Sequence, residues 1–143
     1  MKSRTISTVF GEFVIRIKNG YVREASFIEM DFDMHNPMNQ QCLSVDEFWD
    51  EIRSYEILLQ GTDFQKRIWF FMRKIEWGET LTYQEFTRSM GMGENYTRAV
   101  ACAVSSNKIA CLVPCHRIIP AKGGEGNYRW GNLRKKLLLH AES

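Results

Sequence analysis

Residues 114 to 119 read Pro114-Cys115-His116-Arg117-Ile118-Ile119: a thiol beside an imidazole, behind a rigid proline and ahead of a cation. A neutral cysteine attacks slowly, and a neighbouring base or positive charge converts it to the reactive thiolate near neutral pH. The residue types therefore point to an activated sulfur nucleophile. Adjacent residues of an extended strand face opposite ways, so His116 is expected to reach Cys115 across a turn or through a water. Cys42, Cys102 and Cys111 lack such company and make no CxxC pair, which supports neither a disulfide framework nor a structural zinc site. His35 and His140 are read as surface residues and no metal is expected, with His35 near Cys42 as the minor alternative of a metal ligand.

The elements that must hold this run follow from hydrophobic spacing and punctuation. Residues 5–17 and 21–29 read as a hairpin, with Val9, Phe13, Ile15 and Ile17 alternating and Asn19-Gly20 as the turn. Residues 31–43 are polar, contain Asn36-Pro37 and read as a loop. Ser44 caps a helix with Val45, Phe48, Trp49 and Ile52 on one face. Residues 54–61 read as a linker. Thr62 or Asp63 then opens a helix carrying Phe64, Ile68, Phe71, Met72 and Ile75 and stopping near Gly78. Thr82 caps a short helix to Ser89, Gly91-Met92-Gly93 makes a turn, and a further helix spans about 95–105. Two short helices across a glycine turn form a helix-turn-helix, whose second member enters a groove in DNA-binding proteins. That second helix is stripped of bulk at Ala99, Ala101, Cys102, Ala103 and Ser105 beside a long Arg98. Such a helix fits a nucleic-acid groove and fits close packing on another helix equally well.

Residues 123–131 form a glycine-rich loop bearing Tyr128 and Trp130, without the ending of a phosphate-binding loop. It suits a pocket wall that accepts a flat ring. A final helix runs from Leu133 to Ala141, with Leu137 and Leu138 for the core and Glu142 at its end.

The 143 residues, 44% hydrophobic and 13% aromatic, suffice for one domain or two small lobes. No apolar run reaches the length of a membrane span, and Met1-Lys2-Ser3-Arg4 is not followed by a signal-peptide core, so a cytoplasmic protein with reduced thiols is expected. The net charge of +2 conceals a division: residues 1–60 hold 6 Lys/Arg and 10 Asp/Glu, residues 61–143 hold 13 and 7. A basic second half is suited to a polyanion, and an ordinary solvated surface accounts for the same charges equally well.

Several blocks, in order, carry a resemblance. They are Gly61-Thr62-Asp63-Phe64-Gln65, Trp69, Gly78 to Tyr83, Thr97-Arg98-Ala99-Val100, Asn107, the Pro114–Ile119 run and Gly126 to Gly131. Together they resemble the O6-alkylguanine-DNA alkyltransferases, or methylated-DNA–protein-cysteine methyltransferases, over essentially all of residues 61–143. Residues 1–60 match in outline.

The resemblance implies an α+β protein: a small N-terminal antiparallel-sheet lobe (1–60), then a mostly helical lobe (61–143) with a winged-helix-like helix-turn-helix. It implies single-turnover transfer of an alkyl group from O6-alkylguanine in double-stranded DNA to Cys115, with the base flipped out of the stack. His116 would take the thiol proton through water, Glu142 would orient His116 and favour its charged form, and Asn107 would brace the turn. Tyr83 would donate to a guanine ring nitrogen. Arg98 would fill the vacated stack, with Thr82, Thr97, Ala99, Ala103 and Arg117 also on the DNA side. Val113, Pro114, Tyr128, Arg129 and Trp130 would form the pocket. No cofactor is needed, and a suicide acceptor needs no second subunit, so a monomer is expected.

Trp130 and Arg129 stand where many members have glycine and a small polar residue. Trp130 should narrow the pocket and favour O6-methylguanine over O6-benzylguanine. Two rivals remain: a damage-binding or regulatory protein without transfer, and a cysteine hydrolase built on Cys115 and His116.

Overall fold

The computed structural model describes residues 2–28, 42–122 and 128–143. The fold is α+β, with two compact units. The first takes residues 1–58 together with 108–112, and the second takes 59–107 and 113–143. The division therefore departs from a single cut at residue 60, because residues 108–112 return to the first unit.

In the first unit, β1 (Lys2–Thr8), β2 (Gly11–Lys18) and β3 (Tyr21–Phe27) form an antiparallel sheet in the order β1-β2-β3. The stretch expected as one strand over 5–17 is two, broken at Val9-Phe10. There Thr8 Oγ1 donates to the Gly11 carbonyl at 2.7 Å and accepts from the Phe10 N–H at 3.0 Å, which closes a tight turn. The Asn19-Gly20 turn forms as expected, with φ of 54° and 83°. That turn type needs positive φ at both positions, which Asn and Gly tolerate best. Segment 56–58 is pinned to β3 by Val22 N→Glu56 O (2.8 Å) and Leu58 N→Val22 O (2.9 Å), so it is more than a linker. The residues 108–112 are held similarly, through Ala25 N→Lys108 O and Ala110 N→Ala25 O.

Helix α1 (Val45–Arg53) opens on a reciprocal cap between Ser44 and Glu47 and buries Phe48, Trp49 and Ile52. Phe13 packs against Phe27 at 4.9 Å and edge-on to Phe48 at 5.1 Å, which centres the core of this unit on aromatic rings. The polar stretch 31–43, with His35, lies outside the described residues up to position 41.

The second unit holds α2 (Asp63–Met72), β4 (Leu81–Thr82), α3 (Tyr83–Ser89), α4 (Thr97–Ser105), β5 (Ile118–Ile119) and α5 (Asn132–Glu142). Helices α2 and α3 open on the same kind of cap as α1, Thr62 with Gln65 and Thr82 with Glu85. Helix α2 ends at Met72, a turn before the expected stop near Gly78, because the chain tightens into i→i+3 bonds at Lys74 and Ile75. A 3-10 turn (Glu94–Tyr96) leads into α4, so that helix starts two residues later than its spacing predicts. Helices α3 and α4, joined across Gly91 (φ 76°), pack on each other as a helix-turn-helix. Strands β4 and β5 pair in parallel, so this pair is no wing hairpin.

Candidate functional site

Cys115 is presented by a turn that the sequence dictates locally. Pro114 has φ −81° and ψ 66°, and the Cys115 N–H donates to the Val113 carbonyl at 2.8 Å. That is an inverse γ-turn, a conformation a proline ring favours. Residues Cys115–Arg117 continue as one 3-10 turn, so Cys115 and His116 do not sit on opposite faces of a strand. Asn107, at the end of α4 and 2% exposed, donates from Nδ2 to the Val113 carbonyl (3.0 Å) and to Cys115 Sγ (3.3 Å). One side chain thus braces the turn and touches the sulfur.

A cavity of about 20 Å³ opens beside Sγ, room for a single water. Tyr83, Asn107, Cys115, Tyr128 and Arg129 line it, together with Val104 and Ser105 of α4 and Lys135 of α5. The Arg129 guanidinium donates to the Asn107 carbonyl at 3.2 Å and lies 5.7 Å from the Trp130 ring, which meets Tyr128 edge-on at 5.4 Å.

Behind the turn lies a buried polar cluster. His116, fully buried, meets Glu142 Oε2 through Nε2 at 2.6 Å. Arg117 donates from Nε to Glu142 Oε1 (2.7 Å) and from Nη1 to the Ile75 carbonyl (2.7 Å). Gly78 has φ 83°, and a Cβ there would stand 3.1 Å from the Glu142 carbonyl, so a side chain would be strained in the backbone and would crowd that carbonyl. An ionised carboxylate has no hydrogen to give, so Nε2 carries the proton and Nδ1 is the basic nitrogen of the neutral ring.

Burial pushes the Cys115 thiol above its ordinary value, against the Asn107 hydrogen bond, the charges of Lys135 and Arg129, and a backbone bond. Burial also holds His116 below the ordinary imidazole value; the Glu142 bond and charge pull it upward, while Arg117 and Lys135 push it down. Glu142 thus does favour the charged form of His116, as expected, but desolvation and two cations outweigh that one carboxylate and hold the ring below its ordinary value. Glu142 lies below the usual carboxylate range although burial opposes this, because His116 and Arg117 bond to it and Arg117 is charged. Burial, then the Cys115 charge, raise Tyr83, which keeps its phenol protonated and able to donate.

These shifts share a sign. An imidazole held below 6.5 and a carboxylate below 4.5 both bind fewer protons folded than unfolded as pH falls. Their stabilisation is complete above 6.5 and is lost as pH descends through the folded values. Calorimetric melting at pH 7.5 and 5.5 should therefore give the lower Tm at pH 5.5, and a flat or inverted profile would contradict a buried neutral His116.

A family model described as "6-O-methylguanine DNA methyltransferase, DNA binding domain" matches residues 63–143. A probable methylated-DNA–protein-cysteine methyltransferase of Acanthamoeba polyphaga mimivirus is 32% identical over 143 residues, spanning 97% of this chain and 94% of its own. The chain belongs to the 6-O-methylguanine DNA methyltransferase family. The bifunctional transcriptional activator/DNA repair enzyme Ada of Escherichia coli K12 is 41% identical over 85 residues, 59% of this chain. This member of the methyltransferase family spans 24% of the length of that Ada protein, and 24–62% of the first three curated relatives it matches. A crystal structure of Mycobacterium tuberculosis OGT in complex with DNA superposes with a TM-score of 0.77 at 29% identity, covering 98% of this chain and 91% of that one.

Against the pattern expected of a methyltransferase of this family, the structure gathers Cys115, Asn107, Tyr83, Tyr128 and Arg129 around one cavity, with His116 and Glu142 bonded behind it. Three expected pocket residues are not in its lining. Val113 and Pro114 are buried in the turn itself, and Trp130 touches Tyr128 rather than the cavity. Arg117, expected on the DNA side, is 8% exposed and bound to Glu142; its charge is used inside the protein. Ala103 is likewise buried, its carbonyl accepting the Trp69 Nε1–H at 2.8 Å. Arg98 and Ala99 are exposed on α4, while Thr82 spends its hydroxyl on capping α3. Thr97 is half-buried, with Oγ1 lacking a hydrogen-bond partner among the described residues.

Lys135 is the residue that sequence reasoning missed. It is 2% exposed, donates to the Ile118 carbonyl at 2.7 Å and supports ionisation of Cys115. The signal was present: Lys135, Leu138 and Glu142 follow i, i+3, i+7 spacing, which puts the lysine on the inward face of the last helix. The part of the glycine-rich loop at 123–127 lies outside the described residues. Among the described residues no cluster suits a metal ion and no helix is long and apolar enough to cross a membrane.

Proposed function

We propose that this protein repairs DNA by moving the alkyl group of O6-alkylguanine to Cys115, once per molecule. The observation that carries the reading is Cys115 Sγ, 3.3 Å from Asn107 Nδ2, in a cavity shared with the Tyr83 phenol. The names of the relatives, and the OGT crystallised with DNA, support the same substrate for this chain.

The base must leave the stack, because O6 inside a duplex is out of reach of a buried sulfur. The cavity beside Sγ has room for no more than a water, so a purine enters by displacing the Arg129 side chain from the Asn107 carbonyl. Nδ1 of His116 takes the thiol proton through an intervening water. Sγ then attacks the alkyl carbon as the C–O6 bond breaks, and its electron pair passes to the guanine. Tyr83 gives its proton to a guanine ring nitrogen and recovers one from the imidazolium. Cys115 ends as a thioether, which water does not displace, so the reaction consumes the protein.

Helix α4 faces solvent with Arg98, Ala99, Cys102 and Ser105, a thin and mostly neutral surface that suits sequence-independent seating, with Arg98 filling the vacated stack. A single-use acceptor needs no second subunit, in keeping with a monomer, and four free cysteines support a reducing, cytoplasmic setting.

Intact-mass spectrometry after mixing with O6-methylguanine DNA tests the reading. We expect one methyl group per chain, located on Cys115, and much slower transfer from O6-benzylguanine because Arg129 and Tyr128 crowd the cavity. Tight binding without an adduct would instead make the protein a damage sensor, and repeated turnover of an ester or peptide would make it a hydrolase.

A further inference from the structure

The solvent face of α2 carries a charge pattern that the alkyl-transfer site does not use. Lys66, Arg67 and Phe70 on α2, Arg73 at its C-cap and Lys74 in the turn that follows are all exposed, and the i, i+1, i+4 spacing of the first three places them on one side of the helix. The opposite side buries Ile68, Trp69 and Met72. Phe70 is 53% exposed in the middle of the four cations, with Lys74 Nζ 4.7 Å from its ring centre.

The position of these charges is informative. The basic second half of the chain has 13 Lys/Arg. Arg117, Arg134 and Lys135 turn inward, and Arg88 pairs with Glu94. Helix α2 and the turn that closes it carry four more within nine residues, and none of those four is in an ion pair among the described residues. Asp63 in the first turn and Glu76 beyond the last are the acids flanking this face along the chain. A row of like charges left unpaired costs self-repulsion, which a polyanion relieves by releasing its counterions. Helix α2 rises about 9 Å from Lys66 to its end at Met72, and Arg73 and Lys74 extend the row into the turn that follows, enough to follow about three phosphates of one strand. An exposed aromatic ring among the cations can pack on a sugar or an unstacked base.

We infer that the exposed face of α2 is a second DNA contact, binding the phosphodiester backbone independently of sequence and in addition to α4. The inference rests on the proposed reading that DNA is the substrate. It makes DNA affinity depend on two surfaces, with α4 alone coupled to the lesion.

The test is a variant carrying Lys66→Ala, Arg67→Ala, Arg73→Ala and Lys74→Ala, compared with wild type and with Arg98→Ala. Equilibrium binding to an undamaged duplex of about 20 base pairs is measured by fluorescence anisotropy across a salt series. The quadruple variant should lose at least about tenfold in affinity at about 0.1 M salt, and its log–log salt slope should shrink by about 2 to 4. Its rate of methyl transfer from free O6-methylguanine should stay at the wild-type value, which shows that the fold and the sulfur are intact. Phe70→Ala, with all charges retained, should weaken binding while leaving the salt slope unchanged. If wild type binds and repairs duplex DNA while the quadruple variant keeps both its affinity and its slope, the α2 contact is overturned and the repair reading stands. If wild type neither binds duplex nor accepts a methyl group, the repair reading falls, and this inference with it.

Discussion

A Cys115→Ala protein takes up no methyl group under conditions that saturate the wild type at one equivalent, and it binds duplex DNA as wild type does to within about twofold. The expected loss in transfer rate is at least about a thousandfold, because removing the nucleophile removes the reaction path rather than one stabilising contact. Other groups around the cavity do not substitute. Tyr83 is pushed up by burial and holds its proton. Lys135 is held as a donor to the Ile118 carbonyl, and its ammonium form has no lone pair to attack with. The structural cost should be small, on the order of 1 kcal/mol for a deleted buried thiol. Asn107 still braces the turn through the Val113 carbonyl at 3.0 Å, and α4 is untouched. Intact-mass analysis and anisotropy on the same preparation decide the matter. A methylated Cys115→Ala chain would transfer the acceptor role to another residue and remove the basis of the proposed mechanism.

That thiol is also where the limits of sequence reading are clearest. The Pro114–Arg117 run announces a nucleophile because rare residue types stand together, and type is what a sequence displays. The caps at Ser44, Thr62 and Thr82, the Asn19-Gly20 turn and the inward stripe of α2 were legible for a related reason: each is set by residues three or four apart. What stayed hidden depends on distant partners. Arg117 reads as one more cation beside a DNA-binding motif until Glu142, 25 positions away, is seen to hold it. The ionisation of His116 is likewise a sum over burial, Glu142, Arg117 and Lys135, and no local pattern gives the sign of that sum. The break at Val9-Phe10 escaped because Val9 keeps the phase of Phe13 and Ile15, so the alternation runs on through a turn closed by Thr8 although Val9 is in fact exposed. Lys135 was legible in principle, since its spacing from Leu138 and Glu142 fixes its face, but a lysine is ordinarily a surface residue.

The second large effect is expected at Glu142. Replacing it with alanine should lower stability by about 3–5 kcal/mol, a fall in Tm on the order of 10 °C, because the Arg117 guanidinium would stay buried without its counterion. Methyl transfer should slow by about 10- to 100-fold, since His116 would lose the 2.6 Å contact that fixes its tautomer and leaves Nδ1 basic. The two losses have different causes, and a second variant separates them. Combining Glu142→Gln with Arg117→Met removes both charges and keeps the volume, so no lone charge is buried and most of the stability should return. The transfer rate should remain low, because a neutral amide is a weaker partner for the imidazole as it accepts the thiol proton. Thermal melts and single-turnover rates on the three proteins give the answer. If stability and rate recover together, the charge of Glu142 serves only to neutralise Arg117 and a neutral acceptor orients His116 as well. If the rate stays depressed in a protein that melts near the wild-type temperature, Glu142 acts on the reaction through His116.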